Sequence, residues 1–238
     1  MWPGRPARSG WVTRSSRSAR QGRPAQLVVP GAALVPRPEA LDWPQAAGLM
    51  LAGVTAWHLL AVTGVQAGDT VLMHGAAGGV GTMAVQLAVG RGATVLATGR
   101  PDRHEFLRGL GAVPVAYGDG LAGRVRAAAP GRVDVALDLV GTDEAIDVSL
   151  ELVADRQRIA TIAAPARGLQ LGIRVLGGAP GADPGTEIRY AARLPLTELA
   201  QDGRLRVFVT QTFPLAGAAA AHRSIMRGHT SGKIALIP

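Results

Sequence analysis

Residues 70 to 81 read T-V-L-M-H-G-A-A-G-G-V-G, and no other stretch of the chain sets residue types at a spacing so restrictive of chemistry. Val71, Leu72 and Met73 form the short apolar run of a strand covered on both faces. Beyond the glycines, Val80, Met83, Ala84, Leu87 and Ala88 recur at the spacing of a helix with one buried face. Strand, glycine turn and helix in that order make an anion site, because a helix start offers backbone N–H groups and a positive dipole end. Against the pattern G-x-G-x-x-G/A, the run Ala76-Ala77-Gly78-Gly79-Val80-Gly81 keeps the second and third glycines and puts Ala76 at the first. Gly78 would let a pyrophosphate approach the backbone, and Gly81 would let helix and strand pack closely. The chemistry so specified is dinucleotide binding.

Which dinucleotide depends on the end of the next strand. An acid about 20 residues past the glycines would accept hydrogen bonds from a ribose 2′-OH. Here that strand ends Ala97-Thr98-Gly99-Arg100, and Arg103 follows. Guanidinium groups pair with a 2′-phosphate that a carboxylate would repel. The expected cofactor is NADP(H).

These residues need a scaffold, and the rest of the chain reads as one. Strands are expected at 94–98, 114–117, 133–138 and 157–162, with helices at about 102–110, 119–129 and 142–153 between them. That alternation specifies an α/β, doubly wound parallel sheet of the Rossmann type. Upstream, Asp42 is placed as the N-cap of a helix with Pro44 in its first turn and Gln45 set for a reciprocal capping bond. Helical segments are expected at 43–50 and 53–63. After Pro165 the expectation is a strand at 169–176, a helix near 187–202, a strand near 205–210, a helix at 215–227 and a last strand at 233–237.

Composition excludes several classes. The 238 residues are 47% apolar and 18% charged, as in a globular protein. The longest apolar stretch, about 46–62, is interrupted by Gly48, Gly53, Thr55 and His58, so no membrane partner is expected. The absence of cysteine removes disulfides and any Cys-ligated zinc, and suits a reducing, cytoplasmic setting. The five histidines show no ligand spacing, so no metal site is expected. Of the formal charge of +8, six positive charges are the arginines of residues 1–24, leaving +2 for the rest. A nucleic-acid arm and a transit peptide share that composition. The favoured reading is a disordered leader, or sequence from a misplaced start or frame, so no nucleic-acid partner is expected.

The run V-L-M-H-G-A-A-G-G-V-G-T-M-A-V-Q-L-A, with L-A-G-V-T-A-W before it and G-K-I-A-L near the end, resembles the quinone oxidoreductase (zeta-crystallin-like) branch of the zinc-independent medium-chain dehydrogenases/reductases. The resemblance covers about residues 25–238. It implies NADPH as hydride donor and a small-molecule acceptor, a quinone or an α,β-unsaturated carbonyl of the enone or enoyl type. By matching position it puts Thr55 near the nicotinamide, Gly78 to Gly81 at the pyrophosphate, Arg103 and Tyr117 at the 2′-phosphate end, and Val140, Gly141 and Ala163 at the nicotinamide ribose. Lys233 matches the terminal G-K-I, as a cofactor contact or a surface cation. No catalytic side chain can be named.

Family members begin with a GroES-like barrel domain, and little of it is recognisable here. The expected organisation is a leader (1–24), the end of a GroES-like domain (25–42), an NADP-binding Rossmann domain (43–205) and a return to the GroES-like domain (206–238). An NADPH-dependent oxidoreductase is therefore expected, and a truncated, non-catalytic NADPH-binding module is the alternative. A second copy of the chain could supply a wall of the substrate cleft, which leaves room for a homodimer.

Overall fold

Six short strands meet in one sheet. In this computed structural model, which describes residue 31, residues 34–228 and residues 231–238, they are β1 (Thr70–His74), β2 (Thr94–Thr98), β3 (Val113–Val115), β4 (Val135–Asp138), β5 (Ile159–Thr161) and β6 (Arg174–Val175). All neighbouring pairs are parallel and the order is β3-β2-β1-β4-β5-β6. The expected doubly wound Rossmann sheet is thus the fold observed. In this topology the strand order reverses at β1, and ligands bind beyond the carboxyl ends of the strands at that switch point. The expected leader (1–24), and residues 25–30 of the stretch expected to end a GroES-like domain, lie outside the described residues.

All five residues of β1 are buried. Val71 and Met73 join one apolar cluster with Val95, Ala97, Val135 and Leu137, while Leu72 joins a second with Leu96, Ala136 and Ile159. Successive side chains of a strand point to opposite faces, so each central strand contributes to both layers. Each fully buried side chain such as Leu72 stabilises the fold by roughly 1.5–3 kcal/mol. The crossovers between strands carry α2 (Gly81–Gly90), α3 (His104–Arg108), α4 (Leu121–Ala128), α5 (Asp143–Leu152) and α6 (Pro165–Leu171).

The two helical segments expected upstream are one helix, α1 (Trp43–Val62), started by the Asp42–Gln45 capping box. By length and composition α1 could cross a bilayer, which corrects the expectation that no segment qualifies. Much of its surface instead packs against α2, α7 (Thr186–Ala191), α8 (Arg193–Gln201) and a C-terminal strand pair. Its glycines are close-approach positions. A Cβ on Gly48 would come 3.1 Å from Val207, and one on Gly53 3.1 Å from Leu196.

The strand expected at 169–176 is mostly helix. Leu169, Leu171, Ile173 and Val175 alternate as in a strand, but Pro165 opens α6 and Gly172, at φ +69°, ends it. Gly168 seats α6 on the sheet, since a Cβ there would lie 2.6 Å from Val175 and 2.8 Å from Thr161. Only Arg174–Val175 remains extended. The helix expected at 187–202 is two helices, α7 and α8, and the strand expected near 205–210 runs later, as β7 (Val209–Pro214). A 3-10 turn (Leu215–Gly217) and α9 (Ala218–Met226) then lead to β8 (Lys233–Ile237). β7 and β8 pair in parallel as a sheet of their own. The tail reaches the glycine turn, where the Gly232 N–H donates to the Ala77 carbonyl over 3.0 Å.

Candidate dinucleotide site

Of the four glycines that follow β1, Gly78, Gly79 and Gly81 do different work. At Gly81 a Cβ would lie 2.5 Å from the carbonyl oxygens of both Gly75 and Ala76, so this residue permits the strand-to-helix turn itself. At Gly79 a Cβ would lie 2.5 Å from Lys233 Cδ and 3.0 Å from the Gly232 oxygen, so Gly79 admits the C-terminal strand. Gly78 meets only the Gly75 oxygen, at 3.3 Å, and lines a cleft. Val80 at the N-cap of α2 makes no side-chain capping bond, and the Thr82 N–H in the first turn donates to the Gly78 carbonyl over 2.9 Å.

The cleft has a volume of about 660 Å³ and lies beyond the carboxyl ends of β1, β2 and β4. Of the residues singled out in the sequence, Gly78, Arg100, Arg103, Tyr117 and Val140 line it. Ala76, Gly79, Val80 and Gly81 form the turn behind it without lining it. Gly141, at φ +78°, lies against Ala163, whose oxygen would be 2.8 Å from a Cβ on Gly141. Thr55 is not brought to the cleft. It is buried in α1, and its hydroxyl donates to the Leu51 carbonyl over 2.7 Å.

Several residues that the sequence reading passed over complete the site. Asp138, fully buried at the end of β4, accepts the N–H groups of Val140 and Gly141 on Oδ1 and the Thr161 hydroxyl on Oδ2. Thr161 Oγ1 in turn accepts the N–H groups of Ala163 and Ala164. An acid closing an apolar strand is the signal that could have found it. Glu144 lines the cleft and accepts the Gly118 N–H, tying α5 to the loop that carries Tyr117. Asp102 stands between the two arginines, although no acid was expected there. Its Oδ2 lies 3.2 Å from Arg100 Nη2 and 3.6 Å from Arg103 Nε.

His74, at the end of β1, also lines the cleft. Its Nδ1 lies 3.4 Å from Thr98 Oγ1, and its buried Nε2 has no hydrogen-bond partner among the described residues. Burial pushes its pKa down to about 4, against the opposing charge of Asp138, so the ring is neutral at pH 7.

These features fit a dinucleotide. A side-chain-free approach at Gly78, with the start of α2 behind it, and two arginine side chains line one cavity of the size small cofactors occupy. Among the described residues no group of three or more His, Cys, Asp or Glu side chains could hold a metal ion.

Known proteins agree with this architecture. Residues 110–236 match the family model described as zinc-binding dehydrogenase. The chain is 33% identical over 222 residues to a quinone oxidoreductase of Pseudomonas aeruginosa, covering 86% of this chain and 68% of that protein. It is 34% identical over 228 residues to a 2-haloacrylate reductase of a Burkholderia species, covering 86% and 66%. Among solved structures, mycobacterial Rv1454c in complex with NADPH superimposes with a TM-score of 0.71 at 28% identity, over 84% of this chain and 66% of that one. The chain thus spans about two thirds of the length of these proteins, and a tenth or less of larger polyketide synthase proteins that it also resembles. By the match over more than half its residues, and by its likeness to the quinone oxidoreductase, the chain belongs to the zinc-binding dehydrogenase family of medium-chain dehydrogenases/reductases.

Proposed function

We propose that the cleft binds NADP(H) and that the chain acts as an oxidoreductase on a quinone or on an alkene activated by a carbonyl group. The observation that carries the reading is the meeting of Gly78 with Arg100 and Arg103 in one cleft, with the start of α2 directly behind Gly78. In this reading the α2 start and Gly78 receive the pyrophosphate, and the two guanidinium groups receive the 2′-phosphate. Tyr117 flanks that end, while Val140, Gly141 and Ala163 form the wall beside the nicotinamide ribose. Asp138 and Thr161 hold that wall from behind. When bound, the cofactor would supply a hydride, and solvent or the substrate would supply the proton.

The names of the relatives support the substrate class, since a quinone and a haloacrylate are both electron-poor conjugated acceptors. With no cysteine in the chain, the reading is zinc-independent despite the family's name. Residues 43–205 would form the NADP-binding domain, with 25–42 and 206–238 belonging to a GroES-like domain. The separate pairing of β7 with β8 supports that division. The expected setting is the cytoplasm.

Fluorescence titration tests the cofactor. NADPH should bind at least about tenfold more tightly than NADH, as two charge-assisted bonds of roughly 1.5 kcal/mol or more would give. Equal affinities would overturn the reading. The alternative is a binding module without turnover. NADPH oxidation measured with a simple quinone and with a haloacrylate separates the two.

A further inference from the structure

We propose that Asp102 is a resident counter-ion for the two cleft arginines and sets how strongly the site prefers a 2′-phosphate over a free 2′-hydroxyl. This rests on the NADP(H) reading given above.

The three residues share one tight turn. β2 ends at Thr98, and Pro101–Arg103 form a 3-10 turn closed by the Arg103 N–H donating to the Arg100 carbonyl over 2.9 Å. Proline at its start fixes φ and places Asp102 between the arginines. One carboxylate oxygen, Oδ2, then serves both guanidinium groups, hydrogen-bonded to Arg100 at 3.2 Å and 3.6 Å from Arg103 Nε. The arginine side chains are about one-third exposed, at 35% and 31%, and that of Asp102 is 57% exposed. The carboxylate can therefore be met by a ligand entering the recess of about 570 Å³ that it lines with Arg100 and Tyr117.

The consequence is electrostatic. The Asp102 carboxylate offsets part of the positive charge that the two guanidinium groups bring to this corner. A 2′-phosphate that pairs with the remaining donors of Arg100 must stand beside a like charge. A 2′-hydroxyl carries no charge and can donate to the same carboxylate. Asp102 thus lowers affinity for the phosphorylated ribose and offers the unphosphorylated one a partner. Removing its charge should sharpen discrimination.

The test uses adenosine 2′,5′-bisphosphate and 5′-AMP as probes, titrated calorimetrically at one fixed ionic strength, because exposed pairs are screened by salt. The unaltered chain should bind the bisphosphate more tightly. Asp102→Asn, with Asp102→Ala as a second variant, should widen the affinity ratio about two- to fivefold, the range exposed ion pairs allow. Glu105→Gln removes an acid that is paired with Arg108 and lines neither recess, and should leave the ratio unchanged. An unchanged or narrower ratio in both Asp102 variants overturns the proposal, as does equal widening in Glu105→Gln. Equal affinity of the unaltered chain for the two probes instead overturns the NADP(H) reading, and this proposal with it.

Discussion

The hydroxyl of Thr161 donates to Oδ2 of Asp138 over 2.6 Å, and both side chains are fully buried. This one bond joins the end of β5 to the end of β4. The pair also gathers four backbone N–H groups, those of Val140, Gly141, Ala163 and Ala164, so it sets the spacing of two loops at once. Thr161→Val should cost about 1–3 kcal/mol in urea unfolding, because buried donors lose their acceptor and Asp138 loses a donor. It should weaken NADPH and NADH by the same factor, since Arg100 and Arg103 are untouched. Wild-type stability in this variant would show that the loops are held by something else.

Two glycine substitutions should separate folding from binding. Gly81→Ala puts a methyl 2.5 Å from two carbonyl oxygens, a backbone clash that should cost roughly 1–3 kcal/mol or more. Gly78→Ala meets only one oxygen, at 3.3 Å, and should melt close to the wild type. The same variant should bind NADPH at least about tenfold more weakly, which is about 1.4 kcal/mol. Thermal melts paired with titrations read both effects, and undiminished binding by Gly78→Ala would remove that residue from the site.

Arg158 is a stability residue outside the cleft. It pairs with Asp69 at 2.6 Å and donates to the carbonyls of Thr63 and Gly64, clamping the end of α1 and the turn before β1 to the start of β5. Breaking a buried pair costs about 3–5 kcal/mol. Because the Arg158 side chain is 24% exposed, Arg158→Met should cost less, roughly 2–3 kcal/mol in chemical denaturation. Arg158→Lys should recover little of this, as an ammonium cannot span the same acceptors.

Acid should destabilise the protein through its buried imidazoles. The His74 pKa is pushed down to about 4 by burial, and that of His58 is also lowered, by burial first and by Arg189 as well, against Asp183. In the unfolded chain both titrate near 6.5. Between that value and about 4 the unfolded state binds protons that the folded state refuses, so stability present above pH 6.5 is lost as pH falls. For His74 the loss is roughly 3 kcal/mol by pH 4. Unfolding midpoints measured at pH 7 and pH 5 should converge in His74→Leu relative to the wild type. An unchanged difference would mean that His74 takes up its proton in the folded state.

The places where sequence and structure part are instructive. Leu169, Leu171, Ile173 and Val175 carry a period of two, yet Pro165 and Gly172 make the first half of that stretch a helix, and close packing through Gly168 keeps it there. Apolar period is a weak signal over seven residues when turn residues at both ends favour another state. Thr55, assigned by resemblance, spends its hydroxyl on Leu51 in its own helix. Asp102 was legible as a residue but not as a partner, since pairing depends on a turn only three residues long.

Local order was written in local text. The strand, glycine turn and helix around residues 70–90, the alternation that builds a parallel sheet, and the capping box at Asp42 all follow from periodicity and backbone freedom within a few residues. Tertiary structure alone decided which glycine faces the cleft, because Gly79 is occupied by Lys233 from the far end of the chain and Gly81 by the turn's own carbonyls. It alone made Asp138 a hub, since the register of β4 against β5 sets Asp138 opposite Thr161. Contacts between residues distant in sequence depend on register and approach, and no local pattern encodes either.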